Sequence, residues 1–164
     1  GALPAVTYLE IYGMQMGEAG ASALAAALDQ GALPRLEILV LINAAIGDAA
    51  LVALAPALWR LSALEHLYLY DNPLGDEGLA ALLAPPPPAG TPPLPAGGLK
   101  KLKELYLNYT QITDASCAAL AAALSSGALP ALKTLNLEGI PASDAAKAAV
   151  YEARANLVAV SEDE

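Results

Sequence analysis

Phenylalanine is absent from this chain, and tryptophan, cysteine and histidine occur once each. The lone cysteine, Cys117, excludes an internal disulfide and a thiolate metal cluster. It sits in an Ala-rich helical stretch and reads as a small core residue. Basic residues are scarce: 8 Lys and Arg stand against 17 Asp and Glu, for a formal charge of −9. That balance argues against nucleic acid and against anionic membrane surfaces, and it suits a basic partner. No glycine-rich phosphate loop is present; Gly97-Gly98 falls at a junction between sequence units. No metal-ligand spacing is visible, so no metal and no cofactor are expected. His66 has no activated Ser or Cys beside it, and the carboxylates are scattered, so a nucleophilic or paired-acid enzyme is not expected. Residues 115–132 lack charge, but Ser125, Ser126, Gly127 and Pro130 break the stretch, so the chain is not read as membrane-embedded. No signal peptide is visible, which leans the compartment toward the cell interior.

What is present is leucine, alanine and repetition. A chain of 164 residues that is 56% hydrophobic is long enough for one domain, 1–164, with a sizeable core. GALPAV at 1 recurs as GALPRL at 31, GGLKKL at 97 and GALPAL at 127, with a degenerate WRLSAL at 59. Each is followed by the same apolar spacing. Leu64, Leu67, Leu69 and Leu74 match Val6, Leu9, Ile11 and Met16, then Leu36, Leu39, Leu41 and Ile46, then Leu102, Leu105, Leu107 and Ile112. The last unit keeps Leu132, Leu135 and Leu137 and has Ala142 in fourth place. The units run over about 1–30, 31–58, 59–96, 97–126 and 127–164.

Within a unit the hydrophobic period changes. An alternating stretch such as LYLY at 67–70 reads as a strand. Then comes an acidic residue, Glu18, Asp48, Asp76, Asp114 or Asp144, expected to cap the helix that it begins. A helical spacing follows, as in Leu24 and Leu28 or Leu120 and Leu124. Gly31, Gly97 and Gly127 are placed to end helices, and Pro34 and Pro130 to forbid their continuation. One strand and one helix every ~28 to 30 residues cannot bury their apolar faces alone, so neighbouring units must stack.

The pattern L-x-x-L-x-L-x-x-N-x-L, intact from Leu64 to Leu74 with Asn72, resembles the leucine-rich repeat. The long unit with its GALP and Gly-Asp signatures is similar to the ribonuclease-inhibitor-like subfamily and the related GALA-type repeats. The resemblance implies an α/β right-handed solenoid of five strand-helix units, with a parallel concave sheet and outer helices. It also implies protein binding on the concave face. A GTPase-activating role, known among long-helix repeats, would need a charged constellation for which no specific candidate is found. Asn72 alone keeps the family's turn asparagine; Met14, Ala44, Thr110 and Ile140 stand in its place elsewhere, which is expected to weaken the turns. The last unit is expected to act as a cap, with Val150 and Arg154 where Leu24 and Leu28 stand in the first, and a short closing strand within 156–160.

The concave positions carry the functional expectation. They are Tyr8, Glu10 and Tyr12; Ile38, Val40 and Ile42; His66, Tyr68 and Tyr70; Glu104, Tyr106 and Asn108; Thr134, Asn136 and Glu138. Five are tyrosines and none is Lys or Arg, while the inward positions are Leu or Ile. Tyrosine offers large contact area, a polar tip and few rotors to freeze. The expected partner site is therefore Tyr8, Tyr12, Ile38, Val40, Ile42, His66, Tyr68, Tyr70, Glu104 and Tyr106, with Asp71 and Tyr109 on the rim. Ile38, Val40 and Ile42 are expected to form a greasy floor. The leading expectation is a non-enzymatic recognition module for a protein partner. The alternative is a structural subunit or homo-oligomer that buries this patch, the N-terminal edge or the Pro-rich loop.

Two further motifs stand out. Residues 85–95, PPPPAGTPPLP, exclude helix and central strand and favour polyproline II; the element at 91–95 is like those read by WW-type domains. Asn108-Tyr109-Thr110 matches a glycosylation sequon.

Overall fold

The computed structural model describes residues 3–84 and 98–159. The Pro-rich segment and its WW-type motif, Gly97 and the acidic tail lie outside the described residues. Five strand-helix pairs follow one another: β1 (Tyr8–Tyr12), α1 (Gly17–Asp29), β2 (Ile38–Ile42), α2 (Asp48–Trp59), β3 (His66–Tyr68), α3 (Asp76–Leu83), β4 (Glu104–Tyr106), α4 (Asp114–Ser125), β5 (Thr134–Asn136) and α5 (Asp144–Glu152). A sixth strand, β6 (Val158–Ala159), closes the array. The sheet runs β1 to β6 in chain order with every pair parallel, which is the topology of an α/β solenoid.

The register follows the repeat. Leu39, Leu67, Leu105 and Leu135 stand side by side across neighbouring strands, each fully buried. Their alternation with Leu41, Leu69, Leu107 and Leu137 sends a double row of leucines toward the helices. Helix leucines Leu54, Leu58, Leu79, Leu82, Leu120 and Leu124 complete this core. Close helix approach needs small residues. A Cβ on Gly78 of α3 would lie 2.9 Å from Asp48 Oδ1 and 3.3 Å from Leu51 Cβ of α2.

Each of β1 to β5 is followed by a residue in the left-handed region at the same repeat position: Gly13, Asn43, Asp71, Tyr109 and Gly139. Glycine carries this conformation at the two ends, and Asn and Asp tolerate it. Tyr109, at φ 54°, is the bulky exception.

The acidic residues do not cap the helices they begin; three of them, Asp48, Asp76 and Asp114, bond the start of the next helix. Asp48 Oδ1 accepts from the N–H groups of Gly75 (2.7 Å) and Gly78 (2.8 Å) in unit three. Asp76 accepts from the Thr113 N–H, the Thr113 hydroxyl and the Ser116 hydroxyl in unit four. Asp114 accepts from the N–H and hydroxyl of Ser143 in unit five. The physical reason is position. As the first residue inside its helix, each Asp cannot fold back on its own turn as an N-cap does, whereas the parallel neighbour's free N–H groups lie alongside. Among the described residues only α5 has a side-chain cap of its own, with the Ser143 hydroxyl accepting from Ala146 N–H.

At the far end Arg154 is turned inward. Its guanidinium donates to the carbonyls of Leu124 (3.0 Å) and Ala128 (2.6 Å) and to that of Leu129. Leu124 O and Leu129 O already accept from Gly127 N–H and Leu132 N–H, so the guanidinium adds a second donor to each and ties α4's exit turn to the last unit. Beside it the Tyr151 hydroxyl donates to Leu135 O, and burial pushes its pKa up to about 12. Among the described residues no helix is long and apolar enough to cross a membrane.

Candidate functional site: the concave face

Three rows of side chains cross the sheet on the side away from the helices. The row nearest the strand starts runs Tyr8, Ile38, His66, Glu104, Thr134. The middle row runs Glu10, Val40, Tyr68, Tyr106, Asn136. Beyond them Tyr12 pairs with Ile42, Asn43 N–H reaches Tyr70 O, and Tyr109 N–H bonds Glu138 O. Asp71 N–H bonds Asn108 O, which sets Asp71 next to the stretch that carries Tyr109.

The fold thus gathers the expected residues on one surface, but their exposure is uneven. Tyr12 (66%), Tyr8 (50%) and Tyr109 (40%) stand out into solvent. Asp71 is exposed too, and Ile38, His66, Tyr68, Tyr70, Glu104 and Tyr106 are half-buried. Val40 and Ile42 differ from expectation: they are only 4% and 7% exposed, although they lie outside the leucine core. Their short branched side chains sit between taller neighbours, Glu10 and Tyr68 for Val40, Tyr12 and Tyr70 for Ile42. They are a buttress under the surface instead of an open greasy floor. Asn108 and Asn136 are likewise 2% exposed. The sequon is therefore closed: Asn108 is covered, and Thr110 is buried with its hydroxyl donating to Leu107 O (2.7 Å).

Tyrosine and carboxylate are paired across this face. The Tyr8 hydroxyl donates to Glu10 (2.5 Å), and the Tyr68 hydroxyl donates to Glu104. Tyr68 and Tyr106 rings lie 4.6 Å apart and tilted by 45°, with Tyr70 to Tyr106 at 6.4 Å. Burial, then the bond to Glu104, pushes the Tyr68 phenol well above its ordinary range; burial, then the charge of Glu104, raises Tyr106. His66 Nδ1 lies 3.0 Å from the same Glu104 oxygen but is not aligned into a hydrogen bond, and Nε2 is 4.0 Å from Glu65. Tyr8 and Tyr68 thus have engaged hydroxyls, and Tyr68, Tyr70 and Tyr106 are ordered by ring contact. Such a surface can stack on and bond to a partner.

Two features of the site were not read from sequence: the seat of Tyr109, and the reach of the turn residue Asn72 into the preceding unit. Tyr109 is seated by Gly139: a Cβ there would fall 2.3 Å from the Tyr109 ring. Asn72 holds the turn beside Tyr70. Its Nδ2 donates to Leu41 O, Leu69 O and Tyr70 O, and its Oδ1 accepts from Ala44 N–H and Ile46 N–H. The signal for Tyr109 was available as a glycine one unit later at the same repeat position.

Comparison with known proteins agrees with this architecture. Residues 62–83 and 98–121 match the Leucine Rich repeat family. The ribonuclease inhibitor of Mus musculus is 32% identical over 125 residues, covering 74% of this chain and 24% of that protein. The ribonuclease inhibitor of Sus scrofa is 33% identical over 138 residues, covering 82% of this chain and 27% of that protein. The chain spans about a quarter of the length of these curated relatives. In three dimensions it is similar to the actin-binding site 2 of leiomodin-1, with a TM-score of 0.71 and 17% identity over 94% of this chain and 82% of that one. Unit stacking, register and these matches agree: the chain is built of leucine-rich repeats similar to those of ribonuclease inhibitors.

Proposed function

We propose that the chain is a non-enzymatic recognition module that binds a protein partner on its concave face. The observation that carries this reading is the cluster of Tyr68, Tyr70 and Tyr106, in mutual ring contact, half-exposed and outside the core. Interlocked aromatic rings are what interface anchors look like, and a leucine-rich solenoid is a fold that recurs in protein–protein recognition. The family resemblance and a relative whose name states inhibition of a ribonuclease support the class of function. Glu10, Asp71, Glu104 and Glu138 border the rings, and no Lys or Arg lies among the concave positions, which favours a basic partner. Tyr8, Tyr12 and Tyr109 extend the contact surface. Ile38 adds apolar area, and Val40 and Ile42 support it from beneath.

The test is affinity capture from the source organism with the wild-type chain and with the Tyr68→Ala, Tyr70→Ala, Tyr106→Ala triple variant. Loss of the captured protein with the folded variant supports the assignment; equal capture refutes it. One observation favours a second reading as a structural subunit. Leu3, Tyr8, Tyr12 and Met14, four large exposed apolar residues, all belong to unit one. Mass measurement in dilute solution separates the two readings: a monomer favours recognition, and a stable oligomer favours the subunit.

A further inference from the structure

Among the described residues two buried side-chain polar atoms have no hydrogen-bond partner, His66 Nδ1 and Asn108 Oδ1. Both belong to the concave face. His66 Nδ1 at least has the Glu104 carboxylate at 3.0 Å. Asn108 Oδ1 has no donor, although the residue is 2% exposed. By contrast the other buried amide of this face, Asn136 beside Tyr106 in the next strand, is satisfied, since its Oδ1 accepts from Glu138 N–H at 3.0 Å. Leaving a buried acceptor unpaired is unfavourable, and a native protein that retains one invites an explanation.

The surroundings of Asn108 define what would repair it. Leu107 points into the core, so strand alternation turns Asn108 to the concave side, one step beyond the Tyr106 ring. Asp71, exposed, is joined to it through the backbone bond from Asp71 N–H to Asn108 O. The seat thus combines a carboxylate, an aromatic face and an acceptor in need of a donor, with no cation of the chain among the concave positions. A lysine brings a point charge. An arginine brings a planar fork of five donors that stacks on a ring while bonding two acceptors at once.

We propose that Asn108, Asp71 and Tyr106 form a subsite for an arginine side chain of the partner. The guanidinium stacks on Tyr106, pairs with the Asp71 carboxylate and donates to Asn108 Oδ1. The amide turns outward to meet it, a rotation that breaks no hydrogen bond to Oδ1. This inference rests on the concave-face reading and names the partner group that the face selects.

The probe is N-acetyl-arginine amide, titrated into 15N-labelled protein while the Asn108 side-chain amide signals are followed. The expected result is a saturable shift at Asn108, with N-acetyl-lysine amide binding about fivefold more weakly or worse. Asn108→Leu, which replaces the orphan acceptor by an apolar group of similar shape, loses the saturable response at the Tyr106 and Asp71 backbone amides. Asn108→Asp, which keeps the shape and adds charge, strengthens it. No saturable shift, an equal response to the lysine probe, or an unchanged response in Asn108→Leu overturns the proposal. The captured partner separates the two levels. If the triple tyrosine variant loses it and Asn108→Leu binds as wild type, the concave face stands and the arginine subsite falls. If neither variant changes capture, both fall.

Discussion

The turns of units three and four occupy the same repeat position and are held in different ways. In unit three Asn72 makes five hydrogen bonds and reaches back into unit two, bonding Leu41 O, Ala44 N–H and Ile46 N–H. In unit four Thr110 makes one, from its hydroxyl to Leu107 O. That bond copies the one from Asn72 to Leu69 O. Threonine is too short to copy the reach into the preceding unit. The difference teaches that the asparagine is less a turn former than a rivet between units, and that unit two keeps a sound turn around Ala44 because its neighbour supplies the polar groups.

Removing the rivet is expected to have the largest effect. Asn72→Ala strips partners from buried backbone groups in two units and should cost ~4 kcal/mol in urea denaturation. Arg154→Met tests the corresponding device at the end of the stack. Losing three charge-assisted bonds to Leu124, Ala128 and Leu129 carbonyls should cost ~2 kcal/mol. Thr110→Val removes a single bond and should cost ~1 kcal/mol. Thr110→Asn sharpens the contrast: if length is what threonine lacks, this variant should regain bonds to unit three and equal or exceed wild-type stability. A loss larger than that of Thr110→Val would show that the unit-four turn has settled into a geometry of its own.

The smallest effect is a pH dependence. Burial pushes the Asp76 carboxyl up, but the Ser116 and Thr113 hydroxyls and backbone N–H groups hold it down further, leaving it below its ordinary value. A folded pKa below the unfolded one, about 3.9, stabilises the protein above that value. The contribution is lost as pH falls through the folded pKa. Wild type should therefore exceed Asp76→Asn in thermal stability at neutral pH. The gap should close in acid below about pH 4. A gap that stays constant down to pH 2 would contradict the bonding described for unit four.

Leucine periodicity made the stack legible, because one residue type recurs at positions where strand and helix must both turn inward. Leu67 and Leu105 could be paired from sequence alone, and the structure pairs them. Concave rows were legible for the same reason. Depth on that face was not. Val40 and Ile42 alternate outward as read, yet whether an outward residue meets solvent depends on the height of neighbours 28 to 30 positions away. The acidic residues show a second limit. A Gly-Asp pair before a helical run looks like a cap for that run, but in a parallel stack the nearest free N–H groups belong to the next helix. Sequence proximity and spatial proximity part company there, and Asn72 reaching back to Leu41 is the same lesson in the opposite direction.

The carboxylates at the helix starts also decide how such an array can be recombined. Units three and four each carry an acceptor for the neighbour that follows and donors for the one before, so neither half of the fastening is complete within a single module. Cutting the chain between Asp76 and Thr113 and splicing in a foreign unit would succeed only if the newcomer brought a hydroxyl or a bare N–H to the left joint and an aspartate to the right. Interchangeability in this protein is therefore a property of junctions, and the modules themselves are only what lies between them.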